Sequence, residues 1–336
     1  MGIRLGWALA LALVTVAGAE TKKFKILMTE WPPEVIAEFR AAVPEAEIVT
    51  PSTRQEWLTE IAGADAIYGH LRPELLRAAK KLRWVQATSA GVDGHIAAGI
   101  ANTDIVLTNA RGIASPNIAD HAFALLLSLT RCINQVERDR GKENLNRLNY
   151  HPIELKGKTA VVVGVGSIGT EVAVRANAFG MRVIGVDPKD IPAQPYLTRL
   201  VRPDRLDQVL PEADVVFVAA PLTRETRGMF NRARFQLMKR GAYFIAVSRG
   251  PLTGTAALVE ALDSKRLAGA GLDVTDPEPL PAGHPLWKFP NAIITPHLAG
   301  TSDNAARRRI ELMKENMRRF RDGEPLLNVV DKQKGY

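Results

Sequence analysis

The fold is decided by residues 159–170, which read TAVVVGVGSIGT. Three consecutive valines at 161–163 are typical of a buried strand, and the glycine-rich segment after them leads into a helical pattern that begins near Thr170. We expect that helix to end at Gly180, because glycine readily adopts the left-handed conformation found at helix C-termini. A strand, a Gly-x-Gly-x-x-Gly turn and a helix in this order indicate a dinucleotide-binding α/β unit.

Each glycine of the turn has a separate physical role. Gly164 allows the tight turn, Gly166 lets the backbone approach a pyrophosphate, and Gly169 permits close packing of the helix on the strand. The pyrophosphate is expected at the helix N-terminus, where free N–H groups and the helix dipole favour an anion. The predicted loop comprises Gly164, Val165, Gly166, Ser167, Ile168 and Gly169.

Asp187 ends the next predicted strand, roughly 20 residues beyond the last glycine. An acidic residue at this distance accepts hydrogen bonds from the adenosine ribose and repels a 2′-phosphate. The sequence therefore predicts NAD as the cofactor rather than NADP.

Short β-rich runs alternate with helical segments on both sides of this motif, which predicts parallel sheets covered by helices on both faces. A chain of 336 residues exceeds what a single core usually fills, so we expect two doubly wound α/β units. Before the motif, strands are predicted at 25–28, 47–50, 66–68, 84–87 and 105–107. From the motif onward, six strands are predicted, at 160–164, 182–187, 214–219, 242–247, 269–274 and 292–295.

Two predicted helices differ in polarity. Residues 118–133 are apolar on nearly every face, so this helix must be buried between the two units or against another subunit. The chain becomes polar from 137 to 149, as expected for an exposed helix end and a loop. A final amphipathic helix is predicted over 302–321.

Composition limits the classes of partner. The formal net charge of +8 and the isoelectric point near 9.6 suit a protein that handles anions. The basic residues are dispersed along the chain, which argues against nucleic-acid binding. Cys132 is the single cysteine, so an intramolecular disulfide and a thiolate-rich metal site are excluded. The histidines show no metal-ligand spacing, and no metal site is expected.

The N-terminus has the pattern of a secretory signal peptide over residues 1–19. Arg4 precedes an apolar run from Leu5 to Val16, and residues 17–19 (AGA) offer a small-residue cleavage site. The apolar run is too short for a comfortable membrane span. We therefore expect a periplasmic or secreted protein, free of the membrane, if the signal is cleaved, and a cytoplasmic protein otherwise.

Three polar residues, Arg249, Glu278 and His297, each follow a predicted strand of the second unit, at the edge where open α/β sheets bind ligands. Arg249 offers a planar fork that matches a carboxylate and can polarise a carbonyl. His297 suits proton exchange near neutral pH, and Glu278 hydrogen-bonded to the imidazole would favour its protonated form. Together with a nicotinamide cofactor, this set predicts hydride transfer to a small 2-keto acid.

These motifs, in this order, resemble those of the D-isomer-specific 2-hydroxyacid dehydrogenases over essentially the whole chain from Phe24. The stretches that carry the resemblance are 89–93 (SAGVD), 164–169 (GVGSIG), 220–223 (APLT) with Thr226, 248–250 (SRG), 271–274 (GLDV) with Glu278-Pro279, and 295–297 (TPH). Segment 279–287 is similar to the glyoxylate/hydroxypyruvate reductase branch.

The resemblance implies a catalytic set of Arg249, Glu278 and His297, with the backbone amides of Ala90 and Gly91 holding the substrate carboxylate. It also implies that Asp273 contacts the nicotinamide carboxamide. Further cofactor contacts are expected at Ala220, Pro221, Leu222, Val247, Ser248, His297 and Gly300.

The resemblance also implies a division into domains. A Rossmann NAD-binding domain at 110–298 would be inserted into a flavodoxin-like substrate domain made of 24–109 and 299–332. A homodimer would form through the apolar helix, at 114–133.

Two alternatives to this assignment stay open. A dinucleotide-sensing interaction protein, like the corepressors of this superfamily, would keep the fold and the same three residues. A dehydrogenase for phosphite or a phosphorylated hydroxy acid would need extra cations in its substrate pocket, for which Arg72 and Arg111 are the candidates. Formate is disfavoured as the substrate, because the related formate dehydrogenases carry Gln in place of Glu278.

Overall fold

The structure is a computed structural model that describes residues 23–142 and 145–336. The predicted signal peptide at 1–19 lies outside the described residues. Nowhere in the described ranges is there a helix long and apolar enough to span a bilayer.

The N-terminal unit is a five-stranded parallel sheet with the strand order β2-β1-β3-β4-β5. This is the flavodoxin-like order of a doubly wound sheet, as predicted. Its strands are β1 (Phe24–Met28), β2 (Ala46–Val49), β3 (Ala66–Tyr68), β4 (Trp84–Gln86) and β5 (Val106–Thr108). Its helices are α1 (Pro33–Ala42), α2 (Arg54–Glu60), α3 (Pro73–Ala78) and α4 (Asp93–Ala97).

The second unit is a seven-stranded parallel sheet with the order β12-β11-β10-β9-β6-β7-β8. Its strands are β6 (Thr159–Val163), β7 (Arg182–Val186), β8 (Arg199–Val201), β9 (Val215–Val218), β10 (Ala242–Ala246), β11 (Leu267–Leu272) and β12 (Ala292–Ile294). Four of the helices that connect these strands are α7 (Ser167–Ala178), α8 (Leu206–Val209), α9 (Arg232–Leu237) and α10 (Thr255–Asp263). The first six strands follow the Rossmann order, so the predicted fold class is confirmed.

The sequence predicted six strands in this unit, but the structure has seven, and the additional strand is β8. β8 pairs only with β7, at the edge of the sheet, and none of its three residues is fully buried. An edge strand this short carries no continuous apolar run, which is the signal that identifies a buried strand.

The apolar helix begins and ends three residues earlier than the predicted range 118–133. α5 spans Ser115–Thr130, and the chain then turns through Cys132, whose φ of 61° lies in the left-handed region, into a separate helix, α6 (Ile133–Asp139). α5 packs tightly on β11, where a Cβ on Gly271 would lie 2.7 Å from the Cβ of Leu125. Glycine in this strand therefore allows the close approach of the helix to the sheet.

The chain crosses between the two units twice, after β5 and before the last helix, α11 (Ala305–Asp322). Ile310, Met313 and Met317 of α11 belong to the core of the first sheet, so the C-terminal helix returns to the N-terminal unit. The domain boundaries at 110 and 299 stay a prediction.

Candidate active site

The glycine-rich loop between β6 and α7 has the shape of a phosphate cradle. Gly164 has a φ of 88°, and a Cβ there would lie 2.6 Å from the backbone of Ala220. A Cβ on Gly169 would overlap the carbonyl oxygen of Gly164. The side of Gly166 is open, since a Cβ there would have no atom within 4 Å, and its N–H donates to no described residue. The loop therefore fits a pyrophosphate at the N-terminus of α7.

Asp187 lies against this loop with 8% of its surface exposed. Its Oδ2 accepts a hydrogen bond from the N–H of Val165 at 2.8 Å, and its Oδ1 accepts one from the N–H of Lys189 at 2.9 Å. These two hydrogen bonds fix the carboxylate at the end of β7, beside the glycine-rich loop, as the sequence predicted.

The turn after β9 completes the rim of the cradle. The backbone of Ala220 packs directly against Gly164, where there is no room for a Cβ. The carbonyl of Pro221 accepts a hydrogen bond from the Thr226 hydroxyl at 2.7 Å. Leu222 packs on the core of this sheet, and Val247 and Ser248 follow β10 as buried residues. Gly300 lies further away, at the crossing into α11, where a Cβ on Gly300 would lie 3.9 Å from the Cβ of Ala114.

Arg249 reaches from the second unit to the first. Its Nε donates to Oδ1 of Asp93 at 3.0 Å, and its Nη1 donates to the carbonyl of Ser248 at 2.8 Å. The guanidinium lies directly against Gly91, where a Cβ would overlap Nη2. The structure therefore brings together Arg249 and the Ala90–Gly91 turn that the sequence placed in one site.

The Ala90–Gly91 turn presents its N–H groups rather than its carbonyls. The carbonyl of Ala90 accepts from Nδ2 of Asn109 at 2.8 Å, and that of Gly91 accepts from the Ser89 hydroxyl at 2.7 Å. The N–H groups of Ala90 and Gly91 donate to no described residue. Two free donors beside a guanidinium can hold a carboxylate.

His297 and Glu278 form a hydrogen-bonded pair. Nδ1 of His297 lies 2.7 Å from Oε1 of Glu278, and each side chain is 41% exposed. A carboxylate accepts, so Nδ1 carries the proton of this bond and Nε2 is left for a ligand. His297 has a φ of 52°, a left-handed conformation that costs about 1–2 kcal/mol in a residue with a Cβ.

Asp273 holds the turn that follows His297. This buried carboxylate accepts from the N–H groups of Leu298 and Ala299, each at 3.0 Å, and from the Thr295 hydroxyl at 2.7 Å. The Thr295 proton is committed to Asp273, so Nε2 of His121, 2.9 Å from the same hydroxyl oxygen, is the donor in that contact.

Sequence reasoning missed two parts of this arrangement. It gave no role to Asp93, although the residue lies inside the 89–93 motif, and none to His121. A signal existed for His121, because a histidine on an apolar helix needs a polar partner when buried. Across 23–142 and 145–336, no group of three or more His, Cys, Asp or Glu side chains could hold a metal ion.

Comparison with known proteins identifies the family. Residues 123–299 match the family described as D-isomer specific 2-hydroxyacid dehydrogenase, NAD binding domain. A glyoxylate reductase of Korarchaeum cryptofilum is 34% identical over 294 residues, which cover 84% of this chain and 87% of that protein. A D-3-phosphoglycerate dehydrogenase of Archaeoglobus fulgidus is 33% identical over 304 residues, but this chain spans only 57% of its length.

Solved structures agree with that grouping. An NADPH-dependent glyoxylate/hydroxypyruvate reductase of Sinorhizobium meliloti, in complex with NADP and sulfate, superposes with a TM-score of 0.81 at 28% identity. The superposition covers 94% of this chain and all of that one. The chain therefore belongs to the D-isomer-specific 2-hydroxyacid dehydrogenases, a family of NAD(P)-dependent oxidoreductases.

Proposed function

We propose that the protein reduces a small 2-keto acid to the D-2-hydroxy acid with NADH, and catalyses the reverse reaction with NAD. The observation that carries this proposal is the position of Arg249 against Gly91, beside the free N–H groups of Ala90 and Gly91. The hydrogen-bonded Glu278–His297 pair follows β11 and β12, the next strands of the same sheet after the β10 strand that precedes Arg249. These groups supply an anion site and a proton donor, which are what a keto acid needs from the protein.

Arg249 and the Ala90–Gly91 turn bind the substrate carboxylate. Asp93 and Ser248 hold the guanidinium in place, so its Nη2 faces the turn without further reorganisation. The same guanidinium stabilises negative charge that develops on the carbonyl oxygen during reduction.

His297 supplies the proton for the carbonyl oxygen from Nε2. Glu278 orients the ring through its hydrogen bond to Nδ1, so that Nε2 is left to exchange a proton with the substrate. Asp273 accepts hydrogen bonds from the two residues after His297 and so supports the left-handed conformation of His297 itself. The nicotinamide cofactor supplies the hydride when bound, and the glycine loop, Asp187 and the Ala220–Leu222 turn are the residues that would hold it.

NAD is the cofactor that we propose, because Asp187 lies where the adenosine ribose is expected and a carboxylate there repels a 2′-phosphate. The Sinorhizobium reductase binds NADP, so the choice has to be measured on this chain. A kcat/KM for NADH at least tenfold above that for NADPH would support the proposal, and the opposite ratio would contradict it.

A homodimer is proposed through the surface around α5. Apolar side chains are exposed there, on α6, on the loop that follows it and at the end of α7: Ile133 (52%), Leu145 (49%), Leu148 (71%) and Phe179 (42%). Phe179 stacks on Phe123 of α5, and exposed apolar residues beside a buried helix are typical of a subunit interface. Light scattering of the purified protein should give twice the mass of the chain, and a monomer mass would refute the dimer.

Export from the cytoplasm is proposed on the pattern of residues 1–19 alone. N-terminal sequencing of the protein recovered from its host should begin at Glu20. Recovery with the original N-terminus from the cytosol would refute export.

The proposed activity is tested by following NADH oxidation with glyoxylate, hydroxypyruvate, pyruvate and phenylpyruvate, using residues 20–336. Arg249→Ala is the matched inactive variant, because it removes the only side chain proposed to bind the substrate carboxylate. Turnover that collapses in this variant supports the proposal. Tight NADH binding without turnover on any of the four acids would instead indicate a dinucleotide-sensing protein.

A further inference from the structure

We infer that the substrate carries a second anionic group, a carboxylate or a phosphate, at the end opposite its 2-keto acid group. The inference rests on the proposed function and names a substrate class for the same site. The second group would bind a cavity in the N-terminal unit that lies beside the candidate active site.

The cavity has a volume of about 240 Å³. It is built by the segments that follow β1, β2 and β3, which end at the same edge of the sheet as the Ala90–Gly91 turn after β4. Its lining residues are Thr29, Ser52, Thr53, Arg54, Trp57, His70, Arg72, Glu74 and Leu75.

His70 connects this cavity to the candidate active site. Its imidazole packs on α4, where a Cβ on Gly94 would lie 2.6 Å from Cε1 of His70. Gly94 adjoins Asp93, the residue that holds Arg249. A substrate whose carboxylate lies against Arg249 and the Ala90–Gly91 turn therefore has the cavity next to it, with His70 as the wall between the two.

The charge of the cavity favours an anion. Arg54 and Arg72 both line it, against a single carboxylate, Glu74. Glu74 pairs with Arg54 at 3.2 Å, whereas Arg72 has no ion-pair partner among residues 23–142 and 145–336. Glu74 also interacts electrostatically with Arg72, but two guanidinium groups against one carboxylate leave the lining with a net positive charge. A guanidinium binds carboxylate and phosphate through the same planar donors.

The apolar side chains of the cavity can contact the carbon chain that joins the two anionic groups of such a substrate. Trp57 and Leu75 provide carbon surface between the polar groups, as in ligand sites that bury a short carbon chain and fix its charged ends. Arg111, the other cation that the sequence singled out, is not among the lining residues and lies at the crossing after β5.

Matched substrate pairs test the inference, since each pair differs in the distal charge. NADH oxidation is measured with 2-ketobutyrate against oxaloacetate, 2-ketovalerate against 2-oxoglutarate, and hydroxypyruvate against its 3-phosphate, with glyoxylate as the reference. We expect the dianionic member of at least one pair to have a kcat/KM about tenfold or more above its partner, from one charge-assisted contact. The first two pairs report a carboxylate site and the third reports a phosphate site.

Variants assign that preference to the cavity. Arg72→Gln should lower kcat/KM for the preferred dianion about 10-fold or more and leave glyoxylate turnover unchanged. Arg54→Gln should cost less, because this side chain is 71% exposed and already paired with Glu74. Arg77→Gln is the matched control, since Arg77 is a cation on α3, the helix that begins directly after Arg72, and does not line the cavity.

The outcomes separate failure of this inference from failure of the proposed function. Glyoxylate turnover without any preference for a dianion, or a preference that Arg72→Gln and Arg77→Gln leave equally intact, would overturn the inference and keep the proposed function. No turnover with any of the seven acids would overturn both.

Discussion

Removal of the Thr295 hydroxyl should test how His297, the proposed general acid, is held in place. Thr295→Val keeps the shape of the side chain and deletes the bond to Oδ1 of Asp273 at 2.7 Å and the acceptor for Nε2 of His121 at 2.9 Å. The first of these is a hydrogen bond to a carboxylate that is only 2% exposed. Bonds to charged groups contribute roughly 1.5–3 kcal/mol, so we expect a loss of about 2 kcal/mol in the free energy of unfolding.

The same change should slow catalysis more than it weakens substrate binding. The left-handed conformation of His297 costs about 1–2 kcal/mol, and the hydrogen bonds of Asp273 to the following turn offset that cost. A loosened Asp273 would misplace the imidazole in part of the population. A loss of about 1.4 kcal/mol in transition-state stabilisation lowers kcat about tenfold. KM for the keto acid should change little, because Arg249 is untouched.

The assay is steady-state NADH oxidation combined with urea unfolding of the same preparations. Thr295→Ser serves as the matched control, since it restores the hydroxyl and loses only a methyl group, and it should recover most of kcat. If Thr295→Val keeps the parent kcat, or if the serine variant is as slow as the valine variant, the Thr295–Asp273 bond does not position the imidazole.

Three further predictions follow from local geometry. Gly164→Ala should weaken NADH binding at least tenfold, whereas Gly157→Ala, which has a similar φ of 76° but open space around it, should leave binding unchanged in the same fluorescence titration. Glu278→Gln should lower kcat about 10-fold or more with an unchanged melting temperature, because an amide oxygen is a weaker acceptor than a carboxylate for the N–H at Nδ1 of His297 and orients the ring less firmly; an unaffected kcat would remove Glu278 from the mechanism. Burial lowers the pKa of His95 below its ordinary value of 6.5, so the unfolded chain binds a proton that the folded one does not. The free energy of unfolding should therefore fall as the pH drops below about 6.5, and urea titrations at several pH values should show a flatter dependence in His95→Gln.

The parts of the fold that sequence predicted are those with a local signal. The valines of β6, the glycine turn and the cap at Gly180, which has a φ of 72°, are all specified by neighbouring residues. β8 has no such signal, because its pairing with β7 at the sheet edge depends on the fold around it. The end of α5 could not be predicted from the sequence either, since Cys132 adopts a left-handed conformation that its residue type does not favour.

In the candidate site, too, residues with a local sequence signal were predictable, whereas their partners from distant parts of the chain were not. Arg249, Glu278 and His297 could be predicted as candidates because each follows a strand, and ligands bind at the carboxyl edge of a parallel sheet. The partners of these groups lie far away in sequence: Asp93 is on α4, in the other unit, and His121 is on α5. No periodicity or spacing links such pairs, so only the three-dimensional structure reveals what holds the reactive side chains.

The ion pair between Asp93 and Arg249 changes how substrate recognition has to be understood. Arg249 donates Nε to Asp93, so its charge is already balanced by a carboxylate before any substrate arrives. A second carboxylate at Nη2 would then meet a nearly neutral pair rather than a free cation, and it needs further donors. The unpaired N–H groups of Ala90 and Gly91 supply them, on the same unit that carries Asp93. Under the proposed function, substrate binding therefore requires both units, because the guanidinium comes from one and the backbone donors, together with Asp93, come from the other.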